Sequence, residues 1–327
     1  MGGDDAPARI IDGALAAARH LDLALILVGP SDAIQGELSN HRDTDVLGLQ
    51  IVDAPDVVGM GEPPALALRR KPRASIRVAA DLVAQGRADA LFSAGNTGAT
   101  LVAASSALGL LPGVDRPALA TAIPTRQKPA VLLDAGANAE CRPQHLLQFA
   151  AMGTVYAQVA LGVDAPRVGL LSIGEEETKG NDLIREAHRL MKGLPRFIGN
   201  VEGRDVYAGE ADVIVCDGFT GNVALKISEG LVDTIEHLLG EELQSTFTSS
   251  VGYLLSLRAF RRFRKRVDYS EYGGAPLLGV KGLCIVGHGR SSAKAIRNAI
   301  AMAHRFATQD FIRRLEQGIA AVSVHEH

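Results

Sequence analysis

The chain has 327 residues, 47% hydrophobic and 22% charged, a balance typical of globular proteins and long enough to bury a large core without disulfide or metal staples. Its 34 basic and 37 acidic side chains leave a formal charge of −3, which argues against nucleic acid as the default partner. Tryptophan is absent, aromatics are 4% and glycines number 35, a mix that favours tight strand-to-helix turns over an all-β carbohydrate-binding protein.

The opening MGGDDAPAR has neither the apolar run of a signal peptide nor the Ser or Thr of a myristoylation site. Further along, residues 23–29, 89–94, 130–135, 167–173, 212–216 and 283–287 are short apolar runs ending at or near glycine or a polar turn. They read as buried strands, with helical patterns between most of them. That alternation predicts an α/β protein with a mostly parallel sheet and helices on both faces. Pro63-Pro64 and Leu111-Pro112-Gly113 mark loops but no domain boundary, so residues 1–327 read as a single α/β domain. Residues 231–267 lack proline and any glycine-bounded strand, and read as a helical excursion from the body. No stretch reaches the roughly 18 to 20 apolar residues of a spanning helix, and Cys141, Cys216 and Cys284 form no C-x-x-C pair. The expectation is a cytoplasmic protein, soluble or peripheral to a membrane.

Five strand ends carry polar, glycine-rich sequence: Ser93-Ala-Gly-Asn-Thr-Gly98, Asp134-Ala-Gly-Ala-Asn138, Ser172-Ile-Gly-Glu-Glu-Glu-Thr-Lys-Gly-Asn181, Asp217-Gly-Phe-Thr-Gly-Asn222 and Gly287-His-Gly-Arg-Ser291. In a parallel sheet these ends line one edge, where ligands bind. Glycine lets backbone N–H groups approach an anion, and helices expected to start near Thr97, Gly221 and Ser291 would aim their positive ends at it. Any one such loop is more often a plain turn. Asn96, Asn138, Asn181 and Asn222, each following a glycine by one or two residues, shift the reading towards a site. The chain has no G-x-G-x-x-G, Walker A, H-E-x-x-H or G-x-S-x-G motif. What remains is an anion site of amides, asparagines, Lys179 and His288, with no activated nucleophile. It suits an enzyme whose substrate is itself the nucleophile, as phosphate is. No metal-ligand cluster is visible, and no cofactor is called for.

These motifs, with Met1-Gly-Gly-Asp4-Asp-Ala-Pro7, Phe197-Ile-Gly-Asn-Val-Glu-Gly-Arg-Asp205 and Tyr272-Gly-Gly-Ala-Pro-Leu-Leu-Gly-Val-Lys-Gly282, resemble the bacterial phosphate acyltransferase family from Met1 to about Ala301. The resemblance implies transfer of a fatty acyl group from acyl-carrier protein to inorganic phosphate, at the entry to phospholipid synthesis. It also implies a three-layer α/β/α fold, similar to the phosphotransacetylase and isopropylmalate-dehydrogenase groups, and a homodimer. Members normally carry an apolar strand ending in Asp-Ala just before Met-Gly-Gly-Asp, so a core strand is expected upstream of Met1. The alternatives are a short-chain transacylase acting on acyl-coenzyme A and an inactive lipid-surface adaptor.

In the acyltransferase reading, phosphate attacks the thioester carbonyl directly. Asn222, Lys179 and the N–H groups around Gly221 are candidate donors to the tetrahedral oxyanion. His288 orients phosphate or protonates the departing thiolate. Ser93, Asn96, Thr97, Asn138, Asn181, Asp217, Thr220, Gly221 and Ser291 are candidate substrate and phosphate contacts. Plainer roles stand beside these: Lys179 as a solvated charge, Asp134 and Asp217 as turn caps, and Glu175 to Glu177 as caps of the next helix. An acyl-Cys216 intermediate is the weaker rival, because Cys216 ends a buried apolar strand.

From Tyr253 to Val267 the chain reads YLLSLRAFRRFRKRV. At 100° per residue Tyr253, Leu257, Phe260, Phe263 and Val267 share one face, and Arg258, Arg261, Arg262, Lys265 and Arg266 the other. Arg264 is the exception. That pattern suits an interfacial helix on anionic lipid, with Leu254, Leu257, Phe260, Arg261, Arg262 and Phe263 as contacts. A subunit interface and a dock for acidic acyl-carrier protein are the competing uses. The family adds a downstream membrane acyltransferase as a partner.

Overall fold

The computed structural model describes residues 1–42, 44, 47–267 and 273–323. Tyr272, which opens one of the family-like runs, lies outside them. The first part of the chain forms α1 (Ala8–Ala18), β1 (Leu25–Gly29), α2 (Ser31–Leu38), β2 (Leu49–Asp53), α3 (Pro64–Arg70), α4 (Ser75–Ala84), β3 (Ala90–Ser93) and α5 (Thr97–Leu108). The middle forms β4 (Ala118–Leu119), β5 (Thr121–Ile123), β6 (Ala130–Leu133), α6 (Pro143–Leu161), β7 (Val168–Leu171), α7 (Asp182–Met191), β8 (Phe197–Val201) and β9 (Val213–Val215). The remainder forms α8 (Gly218–Gln244), α9 (Phe247–Val267), β10 (Ala275–Leu278), β11 (Leu283–Val286), α10 (Ala293–Thr308) and α11 (Phe311–Ser323). Each expected apolar run is a strand, namely β1, β3, β6, β7, β9 and β11.

The expected sheet is divided. Among the described residues β1 and β2 form a two-stranded sheet, β3-β11-β10-β4 a second, and β5-β6-β9-β7-β8 a third. The core pairs β11/β3, β6/β9, β7/β9 and β7/β8 are parallel, whereas β10 runs antiparallel to both β11 and β4, and β5 to β6. The larger sheets join where β4 and β5 follow each other around Ala120, whose N–H donates to the Pro276 carbonyl across 3.0 Å.

Strand alternation sets the layers. Leu283 and Ile285 of β11, with Val131, Leu133, Val213 and Val215, enter one core with α6, α10 and α11. Their neighbours Cys284 and Val286 enter a second core with α4 and α5, and Leu132 and Ile214 a third on the far side of the last sheet. Side chains packed on both faces of the strands make this a three-layer α/β/α arrangement. Gly13 lets α1 lie on α10, since a Cβ there would stand 2.6 Å from Ile296 and 2.7 Å from the Ala293 carbonyl.

The helical excursion begins earlier than residue 231. Asp217 caps α8, its carboxylate accepting the Thr220 N–H and hydroxyl at 2.8 Å each, so the helix starts at Gly218 rather than near Gly221. From there α8 runs to Gln244 and α9 folds back along it. The apolar face read in α9 is turned partly inward: Leu257, Phe260 and Val267 are half-buried, and Tyr253 packs edge-on to Phe260 at 5.2 Å. Arg264, the misfit on that face, pairs with Glu236 of α8 at 3.0 Å. Exposed apolar surface is carried instead by Phe247, Leu254 and Leu255, at 85%, 66% and 83%. Phe263 and the arginines 261 and 262 are exposed too. Among the described residues no helix is long and apolar enough to cross a membrane.

Candidate active site

The carboxyl ends of β3, β6 and β11 and the start of α8 after β9 open on one cleft of about 540 Å³, lined from both larger sheets. Apolar lining comes from Phe92, Leu101, Leu119, Leu225 and Val286. Polar lining comes from Thr97, Thr121, Asn222, Lys226, His288, Arg290, Ser291 and Ser292. α5 begins at the wall with Thr97, and α10 begins there behind its cap Ser292. Their first-turn N–H groups and positive helix ends therefore face the same space as Lys226 and Arg290, an arrangement for an anion.

Of the residues read as a site, the cleft brings together Thr97, Asn222, His288 and Ser291. Asn222 is exposed on the second turn of α8, against Gly136. Gly136 has φ +134°, a conformation that residues with side chains rarely adopt, so the β6 loop needs glycine where it passes within contact of the Asn222 side chain. Gly221 is buried beneath: a Cβ on it would overlap the Asp134 carbonyl and stand 2.9 Å from Cys216 Sγ. Its role here is close packing of α8 on the sheet.

The other asparagines and aspartates hold loops. Asn96 caps α5 by accepting from Ala99 N–H at 3.0 Å, and its Nδ2 donates to the Gly59, Met60 and Glu62 carbonyls at 3.0–3.1 Å. Asn138 Nδ2 donates to the Pro117 carbonyl and to Asp134 at 2.7 and 2.8 Å. Asn181 caps α7 through the Ile184 N–H. Ser93 Oγ accepts from Gly95 N–H and Thr100 Oγ1, both at 3.2 Å. Thr220 is bound to Asp217 as described.

Asp134 is fully buried and is the node of its loop. It accepts the Leu119, Gly136 and Ala137 N–H groups on Oδ1 and the Asn138 N–H and side chain on Oδ2. Burial pushes its pKa up, and these donors oppose the shift. Cys216 is buried, and desolvation raises its thiol pKa well above the ordinary value. That suppresses the thiolate an acyl-cysteine route needs.

Lys179 is exposed in the loop after β7, outside the lining of the cleft. Glu175 to Glu177 do not cap α7, which has Asn181 for that purpose. Glu177 pairs with Lys192 at 2.8 Å and lies 3.6 Å from His188, and Glu175 lies 3.4 Å from Arg204.

Sequence reading missed the partners of His288. Glu229, one turn beyond Lys226 on α8, has a side chain only 13% exposed. Its Oε2 meets Lys226 Nζ at 2.6 Å, and its Oε1 lies 3.5 Å from His288 Nε2. Burial lowers the His288 pKa below its usual value, the Glu229 charge pulls it up and Lys226 pushes it down again. The imidazole is therefore neutral at pH 7, able to accept a proton. In sequence Lys226 and Glu229 form an ordinary i,i+3 surface pair; only the packing of α8 turns Lys226 to the cleft and Glu229 to His288.

The architecture is of the phosphotransacetylase kind. Matching solved structures include a phosphotransacetylase from Streptococcus pyogenes (TM-score 0.64, 17% identity, 93% of this chain and 92% of that one) and the EutD phosphotransacetylase from Staphylococcus aureus (TM-score 0.57, 16% identity). The chain belongs to the family described as fatty acid synthesis protein, whose model matches residues 1–314. It is 52% identical over 321 residues to a protein named phosphate acyltransferase from Acidobacterium capsulatum, covering 98% of this chain and 95% of that one. A protein of the same name from Heliobacterium modesticaldum is 51% identical over 320 residues, covering 98% and 96%. The chain is thus a transferase.

Proposed function

We propose that the chain transfers a fatty acyl group from the thioester of acyl-carrier protein to inorganic phosphate, releasing acyl phosphate for phosphatidic acid synthesis. The observation that carries this reading is the cleft where two helix N-termini, Lys226, Arg290 and His288 converge beside apolar lining, in a chain whose relatives are named phosphate acyltransferase.

Phosphate sits against Thr97, Ser291, Arg290 and the first-turn amides of α5 and α10. Its oxygen attacks the thioester carbonyl, the new C–O bond forms, and the C–S bond breaks as the tetrahedral oxyanion collapses. Asn222 donates to that oxyanion, and Lys179, exposed on the loop after β7 outside the cleft lining, is read as adding a charge when the acyl donor is bound. Loss of one such donor typically costs about 10²–10³ in rate. Neutral His288 takes the proton of hydrogen phosphate during attack and returns it to the departing thiolate, so protons balance without a cofactor. A thiol of pKa near 8.5 needs no stronger acid.

The enzyme works as a homodimer against the membrane, handing its product to a membrane acyltransferase. The exposed apolar hairpin tip of α8 and α9, flanked by arginines 258, 261 and 262, supports that placement. The test is acyl phosphate formation from palmitoyl-acyl-carrier protein, trapped with hydroxylamine as the hydroxamate. Phosphate-dependent product is expected. Product only from a short-chain acyl-coenzyme A would replace the fatty acyl donor with the short-chain reading, and none from either would favour an inactive adaptor.

A further inference from the structure

The Phe197–Asp205 run contributes nothing to the cleft lining, yet it surrounds the loop that bears Lys179. Asn200, on β8, is 6% exposed. Its Nδ2 donates to the Glu176 carbonyl at 2.9 Å, and that carbonyl also accepts the Lys179 backbone N–H at 3.0 Å. One oxygen thus joins Asn200 to the backbone of Lys179. Because Nδ2 is committed to a carbonyl, Asn200 turns Oδ1 to His188 Nδ1 at 2.9 Å, so the imidazole donates from that nitrogen.

His188 is 4% exposed. Phe197 packs edge-on against its ring at 5.2 Å, and Gly199, at φ +94°, keeps the strand clear of it: a Cβ there would stand 3.8 Å from Cε1. The ring's other nitrogen lies 3.6 Å from Glu177, and Arg204 reaches Glu175. Two residues of this run thus reach the loop, Arg204 at the Glu175 carboxylate and Asn200 at the Glu176 carbonyl, while Glu177 pairs with Lys192 at 2.8 Å. A buried polar pair, Asn200 on β8 and His188 on α7, has a desolvation cost that apolar packing would avoid. Its partners lie on the lysine loop.

We propose that Asn200, backed by His188 and flanked by Arg204, is a positioning residue that fixes the Glu175–Lys179 turn so that Lys179 reaches the reacting thioester. The inference rests on the reading of Lys179 as a charge used in the transition state. Misplacing such a group by about 1 Å can cost 10²-fold in rate, while ground-state phosphate binding, made by the residues that line the cleft, is untouched.

The experiment is a double-mutant cycle with amide hydrogen exchange on the same proteins. Asn200→Ala should lower kcat about tenfold or more, leave KM for phosphate within about twofold, and speed exchange at residues 174–180. In the Asn200→Ala/Lys179→Ala protein the losses should not multiply, because Asn200 acts through Lys179. Arg204→Ala, at an exposed position, should show the same pattern more weakly and guards against misfolding of the buried variant. Unchanged kcat and exchange in Asn200→Ala, or full multiplication of the two losses, overturns the proposal. A fully active Lys179→Ala enzyme would instead sink the catalytic reading of Lys179, with faster exchange in Asn200→Ala still upholding the tether.

Discussion

Asp134 shows how a single carboxylate can organise the cleft without entering it. Its Oδ2 accepts both the N–H and the side-chain amide of Asn138, at 2.7 and 2.8 Å, inside a fully buried site. In Asp134→Asn one terminal group becomes a donor and must face donors already present. Hydrogen bonds to a charged group contribute about 1.5–3 kcal/mol each, so the variant should lose about 3 kcal/mol of stability or fail to fold, measured by denaturant unfolding. His288 is the converse case, a residue whose charge state matters in the cleft itself. Glu229 raises its pKa against burial and Lys226, with Arg290 of its own loop also lining the space. If neutral imidazole is the working form, kcat/KM for phosphate falls as pH drops through the His288 pKa. Glu229→Gln removes the upward pull of the Glu229 charge, so the acid limb should move to lower pH, and Lys226→Met should move it higher. The substrate's own ionisation is common to all three enzymes, so the differences isolate His288. Superimposable profiles would remove His288 from proton transfer.

At the scale of elements, the hairpin of α8 and α9 gives opposite surroundings to two leucines that lie about 200° apart on a helical wheel. Leu257 is half-buried, whereas Leu255 is 83% exposed. Leu255→Glu should reduce co-sedimentation with phosphatidylglycerol vesicles about tenfold while leaving the melting temperature unchanged; Leu257→Glu should lower the melting temperature. Equal vesicle binding by wild type and Leu255→Glu would exclude insertion of this tip. The same elements explain what the sequence disclosed. β1, β3, β6, β7, β9 and β11 were legible because parallel strands buried on both faces are continuous apolar runs closed by a turn. β4 and β5 have 2 and 3 residues, too few for any period. β8 hid behind Gly199 and the buried Asn200, and β10 behind Pro276, which sits inside a strand with neighbours on both sides. Thr97, Asn222, His288 and Ser291 were readable because glycine loops announce a sheet edge. Lys226 and Glu229 were not, since the face a helix turns inward depends on partners hundreds of atoms away in the chain.

For the whole molecule the question is what covers α8. Phe219, Val223, Ile227, Leu231, Ile235 and Leu238 are 40–67% exposed along one side of it, a longer apolar stripe than a solitary protein usually presents to water. The spacing of four residues repeats from Phe219 to Ile235, the ridge that a second helix packs against. A second copy of the chain supplies the same ridge, and a two-fold axis matches each copy's stripe to its partner's. Ile227 adjoins Lys226 in the cleft lining, so pairing there would shield the site from water. With the two-fold axis along α8, both hairpin tips would lie on one side of the dimer, where two weak membrane contacts reinforce each other. The expected mass in solution is therefore twice the 34.4 kDa of the chain. Ile227→Glu with Leu231→Glu places charges across the axis from each other and should give monomers by sedimentation velocity, with vesicle binding weakened about tenfold or more although neither residue lies at the tip. A monomeric wild type, or a double variant that stays dimeric, would move the subunit contact off α8. A monomeric variant that binds vesicles as tightly as wild type would separate membrane contact from dimerisation.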